Sequence, residues 1–262
     1  MKTLLLWVIL GAASHPVNPF DGTWVTRPES VATKKPWVIG LEKGVWTSDL
    51  STPPVKVRAD GKDQQAPGHL GFTTVAVKVT GPTSVEVTSK NGGRVVFVRS
   101  LSVGADGKSM VEKWTDRTGP QAATGETLYE RLVKGSTGAH AVSGTWKPAK
   151  EQNLSATAST TAYRTTVNGL TCTLASGLSY LAKFDGKDYP VAGDTAGGQT
   201  VSLKRNGDRS FTETFKRAGR IVEVDRITVS SDGKAMRVEW ERPVDHRSGS
   251  YEAVKQEPST QR

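Results

Sequence analysis

Apolar and polar residues alternate with period two along most of this chain. Thr83-Ser84-Val85-Glu86-Val87-Thr88 and Met236-Arg237-Val238-Glu239-Trp240-Glu241 each place apolar side chains on one face only, whereas Thr74-Val75-Ala76-Val77-Lys78-Val79 is apolar on both faces. This alternation is the mark of strands with at least one buried face. Asn91-Gly92-Gly93, Asp106-Gly107, Asn168-Gly169, Asn206-Gly207 and Asp232-Gly233 lie between such runs. Pairs of this kind supply the positive φ of tight hairpins, which join antiparallel neighbours. No stretch has a helical period long enough to define a helix. The pattern predicts an all-β meander of about nine strands in each half, and a meander of that size escapes exposed edges by closing into a barrel.

The halves repeat each other. Gly22-Thr23-Trp24 returns as Gly144-Thr145-Trp146, and Asp60-Gly61-Lys62-Asp63 as Asp185-Gly186-Lys187-Asp188. Val103 to Met110, with Glu112 and Trp114, aligns with Val229 to Met236, Val238 and Trp240. Leu128-Tyr129-Glu130 aligns with Ser250-Tyr251-Glu252, and the offsets stay between 122 and 126. Colinear repeats of domain length imply two tandem antiparallel meander barrels. The expected organisation is a first barrel at 15–134, a linker at 135–140, a second barrel at 141–256 and a frayed tail at 257–262.

Residues 1–14 change the picture of where the protein works. Lys2, the apolar run Leu4 to Leu10 and the small residues Gly11-Ala12-Ala13-Ser14 form a signal-peptide pattern, with cleavage expected near Ser14. The apolar run is too short to span a bilayer and no other segment approaches that length, so no transmembrane segment is expected. The expected address is periplasmic or secreted. Cys172 is the single cysteine, so no disulfide forms within the chain, and its place in a strand-like run predicts a small buried hydrophobe. Residues 15–138 carry 16 basic against 12 acidic residues, and 139–262 carry 18 against 14, which is +4 in each half. With no basic block and no aromatic residues interleaved with the basic clusters, nucleic acid is not an expected partner, while an anionic glycan remains one.

Gly-x-Trp opening the first strand of a small meander barrel resembles lipocalin-like β-barrel proteins. The second half is more closely similar to a family of uncharacterised exported bacterial proteins. Its matching runs are Gly144 to Trp146, Ala182 to Val191, Val201 to Arg205 and Val229 to Lys234. The resemblance implies fold and export, without an activity. Family members often carry Cys-x-x-Cys just before the Pro-Pro; here Val45 to Leu50 precede Pro53-Pro54 without cysteine, so no redox or metal role transfers to that place.

Candidate chemistry is sparse. The four Asp-Gly-Lys runs lack the alternating oxygen ligands and later Glu of a calcium loop, and read as turns. His69, His140 and His246 have no partners at matching positions; His15 would become the N-terminus after cleavage and, with a second His, would chelate copper. No nucleophile elbow is present. The informative contrast lies between the halves. Val95 and Ile221, Leu101 and Ile227, and Val103 and Val229 are apolar at equivalent positions of one strand face. On that same face Phe97 and Arg99 stand against Glu223 and Asp225, and Glu112 stands against Val238. Charges on an apolar face need pairing or water. Either they line two differently charged wet barrel interiors, Arg99 with Glu112 and Glu223 with Asp225, or a β-bulge turns them to solvent. Trp37 and Trp46, which have no Trp counterparts, complete the expected ligand-binding set of Trp37, Trp46, Arg99, Glu112, Glu223 and Asp225. The expected function is non-enzymatic binding of a small amphipathic molecule or an envelope glycan, with no cofactor. The alternatives are a secreted hydrolase with a site in one barrel and a structural envelope protein.

Overall fold

The computed structural model describes residues 18–257; the expected signal peptide, His15 and residues 258–262 of the expected tail lie outside them. In chain order the strands are β1 (Gly22–Thr26), β2 (Ala32–Thr33), β3 (Trp37–Glu42), β4 (Val45–Ser48), β5 (Val55–Arg58), β6 (Asp60–Gln65) and β7 (Thr74–Gly81). They continue as β8 (Ser84–Asn91), β9 (Arg94–Val103), β10 (Ser109–Asp116), β11 (Ala123–Lys134) and β12 (Gly144–Gln152). One helical turn, α1 (Ala156–Ser159), precedes β13 (Thr160–Thr166), β14 (Gly169–Leu174), β15 (Ser179–Ala182) and β16 (Tyr189–Pro190). The chain ends with β17 (Gln199–Gly207), β18 (Ser210–Arg217), β19 (Arg220–Val229), β20 (Ala235–Arg242) and β21 (Arg247–Lys255). Two antiparallel sheets roll into nearly closed barrels of ten strands each, against about nine expected. Barrel one runs β5-β4-β3-β12-β11-β10-β9-β8-β7-β6 and barrel two runs β15-β14-β13-β1-β21-β20-β19-β18-β17-β16, with β2 also paired to β21.

The expected division at 135–140 is corrected by the pairing. β1, the first Gly-Thr-Trp strand, lies between β13 and β21 of barrel two, with Gly22 opposite Tyr163 and Trp24 opposite Lys255. β12, the second, lies between β11 and β3 of barrel one, with Trp146 opposite Arg131 and Trp37. Each repeat therefore lends its first strand to the other. Barrel one is built from 37–152, and barrel two from 18–33 together with 160–255. The reason is local. The 135–143 loop closes on itself through the Gly135 N–H to the Ser143 carbonyl at 3.1 Å, so β12 folds back as the antiparallel neighbour of β11. Equivalent strands exchange equivalent surroundings, which is why the repeat pattern is blind to the swap.

One end of each barrel is dry and packed. Trp24 and Trp146 fill the two floors, their indole N–H groups donating to the carbonyls of Phe20 at 2.9 Å and Val142 at 2.8 Å. Arg131 lies 3.9 Å over the Trp146 ring and donates to the carbonyls of Gly107, Ser143 and Ala141, each at 2.6 Å. Lys255 covers Trp24 at 4.8 Å. Trp114 and Trp240 are matched in another way. Each faces a glycine across the ladder, Gly125 and Gly249, where a Cβ would come within 2.4 and 2.5 Å of the indole.

The Asp-Gly-Lys runs are turns. Asp60, Asp106, Asp185 and Asp232 each accept the N–H two residues ahead, at 2.9–3.0 Å, and the following glycines take φ of +77°, +63°, +74° and +71°. That at Asp60 lies in a bulge of β6 rather than a hairpin. Cys172 is buried in barrel two as a small hydrophobe, and burial pushes its thiol well above the ordinary range.

Candidate functional site

The mouths opposite the two floors face each other. The β10–β11 loop of barrel one reaches barrel two through the Gln121 N–H to the Ser176 carbonyl, 2.8 Å, and accepts the Thr195 N–H on the Thr118 carbonyl, 2.9 Å. The equivalent β20–β21 loop is tied to barrel one through Lys35 of the 34–36 connector, whose ammonium donates to the Asp245 carbonyl at 3.1 Å and to the Asp49 carbonyl at 3.3 Å. Gly119 lies so close to Ser176 that a Cβ would meet its carbonyl at 2.7 Å. Between the mouths lies one cavity of about 580 Å³, lined from both barrels.

This merges what the sequence suggested as two interiors. Arg99 forms an ion pair with Glu112, whose other oxygen accepts the Tyr129 hydroxyl at 2.7 Å; Glu112 keeps only 1 % of its surface. The Arg99 guanidinium lies 4.2 Å from the Phe97 ring and 5.8 Å from that of Trp37. Trp37 and Trp46 are almost wholly buried and form the aromatic wall on the barrel-one side, with the Trp37 N–H donating to Ser48 Oγ at 2.8 Å. On the barrel-two side Glu223 pairs with Arg242 at 3.2 Å, and Asp225 lies beside it with Oδ1 buried and without a partner among the described residues. Arg99, Glu223, Asp225, Trp37 and Trp46 thus border one space, with Glu112 behind Arg99.

Both halves of the sequence alternative are present, and they do not exclude each other. β9 and β19 each carry a bulge, at Val96 and Val222, where the register slips against β8 and β18. The bulges lie before Phe97 and Glu223, so they reorient only the starts of the strands. Ile221, expected on the apolar face with Val95, is 41 % exposed, while Val96 and Val222 turn to the cavity. The charges stay inside.

Several site residues escaped the sequence reading. Glu213, 3 % exposed, accepts the Tyr180 hydroxyl and faces Asp225 across the β18–β19 ladder. Burial raises its carboxyl to about 7, with help from the Glu223 charge and against the hydroxyls of Tyr180 and Tyr163. Asp225 is also raised, by burial and then by Glu223 and Glu213. In barrel one Glu151, whose Oε1 accepts the Thr127 hydroxyl at 2.8 Å, is raised by burial to about 7. Arg217 pairs with Asp194 at 3.0 Å on the rim. Arg242 lines the cavity with its side chain keeping 45 % of its surface. Burial pulls its guanidinium down, but Glu223, Asp245, Asp225 and Asp116 together outweigh this and raise it. Glu213 was legible, since it stands between Phe211 and Phe215 on one strand face and replaces Val87 of the first repeat. Asp116 and Arg242 are likewise opposite charges at one repeat position. Arg247, which enters the cavity from the hairpin root, stands at the ladder position of Ala123 in the first repeat and left no such signal.

The arrangement offers an aromatic wall, guanidinium donors and carboxyls whose protonated form burial favours, in a space that admits water. Among the described residues no group of three or more His, Cys, Asp or Glu is disposed to hold a metal ion, and no helix is long and apolar enough to cross a membrane. Comparison of the chain with family models, with curated proteins and with solved structures gives no match.

Proposed function

We propose that this chain is an exported, lipocalin-like protein that binds a small amphipathic molecule in the cavity between its barrels. The cavity carries the reading: about 580 Å³, inside the range of about 300–1,000 Å³ usual for small-ligand sites, with Trp37, Trp46 and Phe97 on one wall and charged groups on the other. A space of this size between two barrel mouths favours a small molecule over a glycan polymer. Packed solid barrels, which a structural protein would have, are not what the mouths present. Export is supported by the pattern of residues 1–14, and a mature chain beginning near residue 15 is its test. Titration of tryptophan fluorescence with decanol and decanoate tests the binding. Saturation at one molecule per chain is expected, abolished by Ser89→Trp, which fills the mouth. Saturation unchanged in that variant would place the ligand elsewhere.

A second reading rests on Glu213 and Asp225, two carboxyls in register across a ladder and both raised by burial. A proton-bearing acid beside a second carboxyl suits cleavage of a glycosidic bond. Turnover of aryl glycosides that disappears in Glu213→Gln supports it, and absence of turnover across a panel of sugars removes it.

A further inference from the structure

Arg247 lines the cavity, and among the described residues its guanidinium has no partner. Arg247 opens β21 and stands directly opposite Arg242 at the root of the β20–β21 hairpin. Like charges opposed across a ladder repel. Arg242 is matched by Glu223, Arg99 by Glu112 and Arg217 by Asp194. Arg247 is not matched. Among the described residues its guanidinium makes no hydrogen bond or ion pair, and its Nε is buried without an acceptor. The nearby Asp245 turns its carboxylate back to accept the Arg247 backbone N–H at 3.2 Å.

The groups whose charges act on this guanidinium include Arg242, Tyr129, Arg99 and Asp245, with Glu151 from β12. Burial first, then Arg242 and Arg99, hold its proton affinity below the ordinary arginine value. A guanidinium is a flat fork of N–H donors that matches the two oxygens of a carboxylate or phosphate. It lines the same cavity as Arg99, Phe97 and Trp37, so a head group on Arg247 leaves an apolar tail within reach of the aromatic wall.

We propose that Arg247 binds the anionic head group, a carboxylate or a phosphate monoester, of the amphipathic ligand, with Arg242 opposite it across the ladder. This rests on the cavity-binding reading above and adds the ligand's charge.

The test is calorimetric titration of the full chain with decanoate, decyl phosphate, decanol, decyltrimethylammonium and inorganic phosphate, for wild type, Arg247→Gln and Arg247→Lys. Wild type is expected to bind decanoate and decyl phosphate about tenfold or more tightly than decanol, and the cation least, since one charge-assisted pair is worth about that factor. In Arg247→Gln the preference collapses while decanol affinity is unchanged, and the ligand-free melting temperature does not fall, because no partner is lost. Arg247→Lys keeps part of the preference, having charge without the fork, and serves if the Gln variant does not fold. Equal binding of decanol and decanoate by wild type, or a preference that survives both substitutions, overturns the role of Arg247 and leaves the cavity reading standing. Inorganic phosphate binding as tightly as decyl phosphate overturns the amphiphile. No saturable binding of any chain-bearing probe overturns both.

Discussion

Replacing Glu213 by Gln should stabilise the protein at neutral pH and leave it unchanged in mild acid. The carboxyl is fully enclosed and titrates at about 7 in the folded chain, against an ordinary value of 4.5 when unfolded. Below pH 4.5 both states carry the proton and the group contributes nothing to pH dependence. Between 4.5 and about 7 the unfolded chain ionises while the folded chain does not, so the folded state holds more protons and stability falls as pH rises. Above about 7 the folded chain must ionise a buried group, and the full difference is reached. At 1.36 kcal/mol for each pH unit, this difference is about 3 kcal/mol. Glutamine mimics the protonated acid, keeps a polar partner for the Tyr180 hydroxyl and cannot ionise. Thermal melts of both proteins from pH 4.5 to 8 should therefore coincide at the acid end and separate by about 6–12 °C at the alkaline end. Taking the difference cancels the contribution of Glu151, which titrates over the same window. A separation that is constant across pH, or one in which the variant loses stability as pH rises, refutes the assignment of Glu213 as a neutral buried acid.

Other substitutions probe the frame around the cavity. Arg99→Ala strands the buried Glu112 with only the Tyr129 hydroxyl and should cost about 3 kcal/mol in urea unfolding, whereas Arg99→Met with Glu112→Leu should cost less than Arg99→Ala alone. Arg131→Ala removes three charged donors and the cation over Trp146, and should lower stability by about 2–4 kcal/mol, with the loss of exchange protection centred on barrel one. A chain beginning at Lys34 keeps every strand of barrel one and lacks β1 and β2. Hydrogen exchange should accelerate in β13 and β21 and spare β3 and β12, and a peptide of residues 18–33 should restore protection. Equal acceleration in both barrels would contradict the strand exchange.

Much of the scaffold can be read from the chain because it depends on local rules. Period-two alternation defined strands, Asp-Gly pairs marked turns, and the repeated Gly-Thr-Trp located the two floor tryptophans. The candidate site was partly legible for the same reason. Arg99, Glu112, Glu223 and Asp225 interrupt an apolar face, and a charge there must be satisfied by pairing or water wherever the strand is placed. Glu213 carried the same signal between Phe211 and Phe215.

What no local rule reaches is which surfaces meet. The exchange of first strands is silent in the sequence, since Trp24 and Trp146 find equivalent floors in either arrangement. The bulges at Val96 and Val222 depend on pairing with β8 and β18, and they decide that Val222 and not Ile221 turns inward. Arg247 has no aligned charge and no apolar neighbours to mark it; its isolation exists only because two barrel mouths close over a hairpin root. The chain alone thus determined two all-β barrels and the strand faces that carry charge, because those follow from side-chain period and turn chemistry. The tertiary structure alone decided that the interiors form one cavity and that Arg247 stands in it without a partner among the described residues, because burial and pairing are properties of surfaces brought together from distant parts of the chain.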